Sequence, residues 1–196
     1  MEGINNEQLL ERYIATFEKL DEMIVDEFSI PSTELLAVDE EDEYGRRRWK
    51  PIKFKTQQPF LQEIYAELPD NFRFPRLFEQ LLLSYRWATV DLGNYRLFAN
   101  PPGEDLNGFF QQMTSPDLWE TLLPASFIPF GKGPDLDYDP ICFDMKSRKQ
   151  GGDCRIVKID HEQILCNYRI KIIAELAPSF YQLVTQTIEL ANKALR

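Results

Sequence analysis

Three observations predict an α+β fold. Near both ends of the chain, apolar residues recur at three- and four-residue steps, the period of an amphipathic helix. Between the ends lie short apolar segments with Gly-bearing turns, the pattern of antiparallel hairpins. Helices that flank a run of hairpins, without regular alternation of strand and helix, point to an antiparallel sheet.

The first helix is marked by Leu10, Tyr13, Ile14, Phe17, Leu20, Ile24 and Phe28, which form one apolar stripe. Asn5 is the predicted N-cap, Gln8 the other half of a capping box, and Pro31 the stop. Asp39, Glu40, Glu41, Asp42 and Glu43 follow, then Arg46, Arg47, Arg48, Trp49 and Lys50. Such a run is expected to be a solvated loop whose halves partly neutralise each other. Leu77, Phe78, Leu81, Leu82 and Tyr85 predict a second helix, with Pro75 in its first turn. Residues 89–92 and 95–99 read as two strands joined at Gly93-Asn94. Ser115 and Pro116 open a short helix through Leu118, Trp119 and Leu122. Residues 126–130, 141–145 and 154–159 are further strands, the last two joined by a polar loop carrying Gly151-Gly152. A closing helix carries Phe180, Leu183, Val184, Ile188, Ala191 and Leu195 on one face.

Composition sets limits on function. The 196 residues include 43% apolar and 13% aromatic side chains, enough for a substantial core. With 32 acidic against 22 basic residues the net charge is −10, which disfavours nucleic acid and anionic membrane surfaces. No apolar run is long enough to span a membrane and no basic, apolar leader opens the sequence, so a cytoplasmic location is expected. Cys142, Cys154 and Cys166 fit neither a disulfide framework nor a metal-ligand spacing and are expected to be buried free thiols.

No catalytic, cofactor or metal site is predicted. The one histidine, His161, sits at a strand end, with a hydrogen-bonded structural role expected. Asp135, Asp137 and Asp139 alternate as in a calcium loop, but Pro140 stands where a glycine is required and Lys146 where a bidentate Glu is required. Gly131-Lys132-Gly133 is too short for a phosphate-binding fingerprint.

The order of motifs resembles the SUKH superfamily. Leu68-Pro69-Asp70-Asn71-Phe72 before an apolar helix is similar to that family's opening. Ile128-Pro129-Phe130-Gly131-Lys132-Gly133, then Asp139-Pro140-Ile141-Cys142-Phe143-Asp144, then Ile156-Val157-Lys158-Ile159-Asp160-His161-Glu162 and Ala177-Pro178-Ser179-Phe180 resemble its later succession. The branch most similar is that of the fungal regulator of cell-wall glucan synthesis (Smi/Knr-like). The resemblance covers about residues 67–186. It implies a central curved antiparallel sheet of five to six strands packed by N- and C-terminal helices. A domain over 67–196 is expected, with residues 1–66 packing on or extending it. It also implies a non-catalytic role: bacterial members are in large part immunity proteins that neutralise toxins, often nucleases, and fungal members are scaffolds in cell-wall signalling.

The expected ligand is therefore another protein, a basic toxin domain in the immunity case, met by Asp135, Asp137, Asp139, Asp39, Glu40, Glu41, Asp42 and Glu43. A regulatory scaffold is the alternative. A hydrolase using paired carboxylates ranks behind both, for want of any positive feature.

Overall fold

The computed structural model describes residues 5–20, 24–25, 43, 47–56, 58–70, 72–101, 105–149 and 152–194. Helix α1 (Asn6–Ile14) opens with the expected capping box: Asn5 accepts from the Gln8 N–H at 2.8 Å, and the Gln8 side chain accepts from the Asn5 N–H at 3.4 Å. The helix does not run on to Phe28. It stops at Ala15, where the Thr16 hydroxyl donates to the Tyr13 carbonyl at 2.6 Å, and a single turn, α2 (Phe17–Leu20), follows. Ile24 lies in β1 (Ile24–Val25), paired antiparallel with β2 (Arg47–Arg48). Ile24 falls on a helical step of the sequence but is extended; Phe28 and Pro31 lie outside the described residues.

The charged stretch differs from expectation too. Arg47 and Arg48 form β2, and Trp49 is 1% exposed, because its large ring gains a great deal from leaving water for the core. Strand β3 (Ile52–Lys53) pairs with β4 (Tyr85–Arg86). Between them lie α3 (Gln58–Ala66), which the sequence reading did not identify, and α4 (Arg76–Ser84), which it did.

The central sheet contains β5 (Val90–Asp91), β6 (Arg96–Leu97), β7 (Phe127–Lys132), β8 (Pro140–Asp144), β9 (Ile156–Ile159) and β10 (Ile172–Ala177). Its order is β10-β9-β8-β7-β6-β5, and every neighbouring pair is antiparallel. It is a meander, and the fold is α+β. Gly93 turns the β5–β6 hairpin at φ +84°, a left-handed conformation that a side chain disfavours. Helices α5 (Asn107–Met113) and α6 (Pro116–Leu122) connect β6 to β7. Helix α7 (His161–Asn167) connects β9 to β10, and α8 (Phe180–Ala194) follows the sheet.

The middle of the sheet is covered on both faces. Ile141 and Phe143 of β8 belong to the large core, beneath α1, α4 and α8; Cys142, between them, belongs to a smaller core with Leu122 of α6 and Ile164 of α7. Two covered faces account for the continuous apolar run Ile141-Cys142-Phe143. Phe78 anchors the large core, with its ring 5.0 to 5.7 Å from those of Phe74, Phe109, Phe130, Phe143 and Phe180. Leu9, Tyr13, Phe17, Trp49 and Leu61 share that core with Phe78 and Phe180, so the described part of residues 1–66 packs on the rest. Cys142 and Cys154 are buried as expected, whereas Cys166 is exposed on α7. Among the described residues no helix is long and apolar enough to cross a membrane.

Candidate binding site

Strands β6 and β7 meet with Arg96 opposite Lys132 and Leu97 opposite Gly131. A Cβ on Gly131 would lie 2.4 Å from the Arg96 carbonyl oxygen, so this close approach requires glycine. Helix α5 is held to the end of β6 by Gln112, whose amide donates to the carbonyls of Ala99 (3.0 Å) and Gly108 (2.7 Å) and whose Oε1 accepts from the Ala99 N–H (3.1 Å). These elements, with α6, the start of α7 and the loop before β8, enclose an open cavity of about 560 Å³. Phe98, Met113, Leu118, Pro129, Pro140 and Leu165 give it apolar walls. Arg96, Lys132, His161 and the acid Asp117 are the ionisable side chains among its lining, with Tyr138 beside them.

The loop 133–139 is shaped by its own carboxylates. Asp137 accepts from the Asp139 N–H at 3.0 Å, closing an Asx turn, and Asp135 takes the left-handed conformation at φ +53°. Lys158 on β9 draws both acids inward: its ammonium donates to Asp137 and lies 3.4 Å from Asp139. Asp139 Oδ1 also accepts from the His161 N–H at 2.9 Å and from Nδ1 at 2.7 Å. Burial pushes the Asp139 carboxyl up, but the hydrogen bonds from His161 and the ammonium of Lys158 outweigh it, and the net shift is downward. For Lys158 burial works against the charge; Asp137 and Asp139 outweigh it and hold the ammonium above its ordinary range.

Of the eight acids predicted as partner contacts, Asp39, Glu40, Glu41 and Asp42 lie outside the described residues. Glu43 and Asp135 are exposed; Asp137 and Asp139 are turned toward Lys158 and His161. The loop instead presents Leu136, 82% exposed, and Tyr138 to solvent. On the cavity that Tyr138 lines, α7 presents Leu165, and Tyr168, 82% exposed, stands beside Leu165 in an adjoining hollow. Tyr168 sits at the C-cap of α7 with φ +51°. Sequence reasoning missed these four side chains. The signal available was three apolar residues interrupting acidic or polar stretches at Leu136, Tyr138 and Tyr168.

His161 is hydrogen-bonded at the end of β9, as the sequence predicts, and it also lines the cavity, which the sequence does not reveal. Asp160 caps α7 by accepting from the Gln163 N–H at 3.1 Å and pairs with Lys171. Among the described residues no group of three or more His, Cys, Asp and Glu is arranged to hold a metal ion. Compared with known proteins, the chain matches no family model, no curated protein and no solved structure.

Proposed function

We propose that this chain is a non-catalytic binding module for another protein, an immunity protein acting in the cytoplasm by covering a basic toxin domain. The observation that supports the protein-binding part is the set of exposed apolar side chains on this side of the molecule: Tyr138 and Leu165 on the cavity, Leu136 in the same loop as Tyr138, and Tyr168 beside Leu165 in the adjoining hollow. Single exposed apolar residues are ordinary, but four large ones on two neighbouring elements, two of them aromatic, make the kind of patch that a partner desolvates. Asp135 beside Leu136 and the net charge of −10 favour rapid encounter with a basic surface. The motif succession from Ile128 to Phe180 resembles that of the SUKH superfamily, whose members include both immunity proteins and signalling scaffolds, and so supports a protein-binding role.

The test is binding of any toxin domain that the genes beside this one encode, measured by calorimetry and by stopped-flow at rising salt; neighbours that encode none contradict the immunity role. Leu136→Ser with Tyr168→Ser is expected to weaken binding by roughly a hundredfold, because two central apolar anchors are removed, while the melting temperature stays unchanged. An on-rate indifferent to salt, or affinity untouched by the double substitution, contradicts the reading.

A further inference from the structure

The cavity carries a chemistry that the exposed apolar side chains do not explain. Arg96 and Lys132 face each other directly across β6 and β7, an arrangement that destabilises a sheet because like charges repel. Arg96 is relieved by Asp91, which accepts from both Nε (2.8 Å) and the second guanidinium nitrogen. That fork leaves Asp91 committed. Among the described residues no carboxylate pairs with Lys132; its ammonium lies 4.8 Å from the Tyr138 ring centre, over the ring face. Burial and the neighbouring Arg96 both press its ammonium below its ordinary range, with only partial relief from Asp91. In a chain with net charge −10, a half-buried cation without an acid partner stands out. His161 adds a second polar group to the lining, with its Nδ1 tied to Asp139.

We infer that the cavity binds a small carboxylic acid, its carboxylate on Lys132 and its apolar body against Leu118, Met113 and Phe98. The volume of about 560 Å³ and the apolar walls with few convergent polar groups suit a ligand of small-molecule size. A single ammonium without an acid partner matches a monoanion better than a dianion, since a second negative charge would be added to a lining that already holds Asp117. This inference does not depend on the protein-binding reading, although Tyr138 and Leu165 belong to both surfaces.

Benzoate and phenylpropionate are the probes, with benzyl alcohol as the neutral counterpart, followed by residue-resolved amide shifts on the full chain. Saturable shifts are expected at Gly131, Lys132, Leu118 and His161, with benzyl alcohol about tenfold weaker or more. Lys132→Met keeps the apolar stem and removes the charge, and is expected to lower carboxylate affinity about tenfold or more while leaving benzyl alcohol unchanged. The inference is overturned by equal affinity for acid and alcohol in the unaltered chain. It is equally overturned by shifts that map elsewhere, by affinity retained in Lys132→Met, or by no saturable cavity shift with either acid.

Discussion

Asp139 Oδ1 accepts two hydrogen bonds from one residue, the backbone N–H and the Nδ1–H of His161. The contact fastens the loop before β8 to the first residue of α7, which places Tyr138 and Leu165 on the same cavity. A change at Asp139 should therefore act on the stability of this corner and on the order of these two side chains together.

Because the Asp139 pKa is lowered in the folded chain, the unfolded chain takes up its proton first as pH falls. Its contribution is fully present above the ordinary aspartate value, near pH 4, and is lost as pH drops through the lower folded value. Asp139→Asn is expected to lower the melting temperature at pH 7 and to flatten its fall as pH drops below about 4. Melting curves across that range check it, and parallel curves for the two proteins would falsify the assignment.

Tyr13 and Tyr95 share a hydrogen bond of 2.7 Å inside the core, and Tyr95 also bonds Thr187 of α8 at 3.1 Å. Burial pushes the Tyr95 hydroxyl up to about 12 and Tyr13 well above its ordinary value, so both stay neutral donors and acceptors. Tyr13→Phe is expected to cost about 1 kcal/mol, because Tyr95 retains Thr187. Tyr13→Ala should cost about 3–5 kcal/mol through the cavity it leaves. Urea unfolding of both variants separates the bond from the packing.

Phe78 touches five other aromatic rings contributed by α5, β7, β8, α8 and the segment before α4. Phe78→Ala is expected to destabilise by about 3–5 kcal/mol, and Phe78→Leu by less, since most of the volume is kept. Denaturant midpoints that rank the two the other way would contradict the packing described.

Of the three thiols, Cys154 is pushed up to about 12 by burial and Cys142 well above its ordinary value, while Cys166 is exposed. Ellman's reagent under native conditions is expected to modify Cys166 rapidly and the other two only at the rate of unfolding. A Cys166→Ser variant should show no fast phase.

The fold class, α4, the β5–β6 hairpin, α6, the strands from β7 to β9 and α8 were legible in the sequence, because each rests on local periodicity or turn chemistry. The break after Ile14 was not. Ile24 keeps the helical step, yet its strand depends on residues 47 and 48, far along the chain. Trp49 was masked by charged neighbours. The buried Arg86 was equally invisible: its burial depends on the carbonyls of Leu82, Tyr85 and Asp105, the Thr56 hydroxyl and the Phe54 ring, gathered from three segments. At the candidate site, sequence offered acids, which are easy to see, and passed over the apolar residues between them. The role of Asp137 and Asp139 could be learned only once β9 brought Lys158 beneath the loop.

Helix α1 packs against α8, and the Tyr13–Tyr95–Thr187 chain of hydroxyls crosses that junction. On the ribosome, α1 emerges long before α8 exists. Leu10, Tyr13 and Phe17 must then wait without their cover while the whole sheet is being made, so domain closure is a late event of synthesis. A nascent chain held before α8 would expose this apolar stripe to chaperones, and release of α8 would hide it.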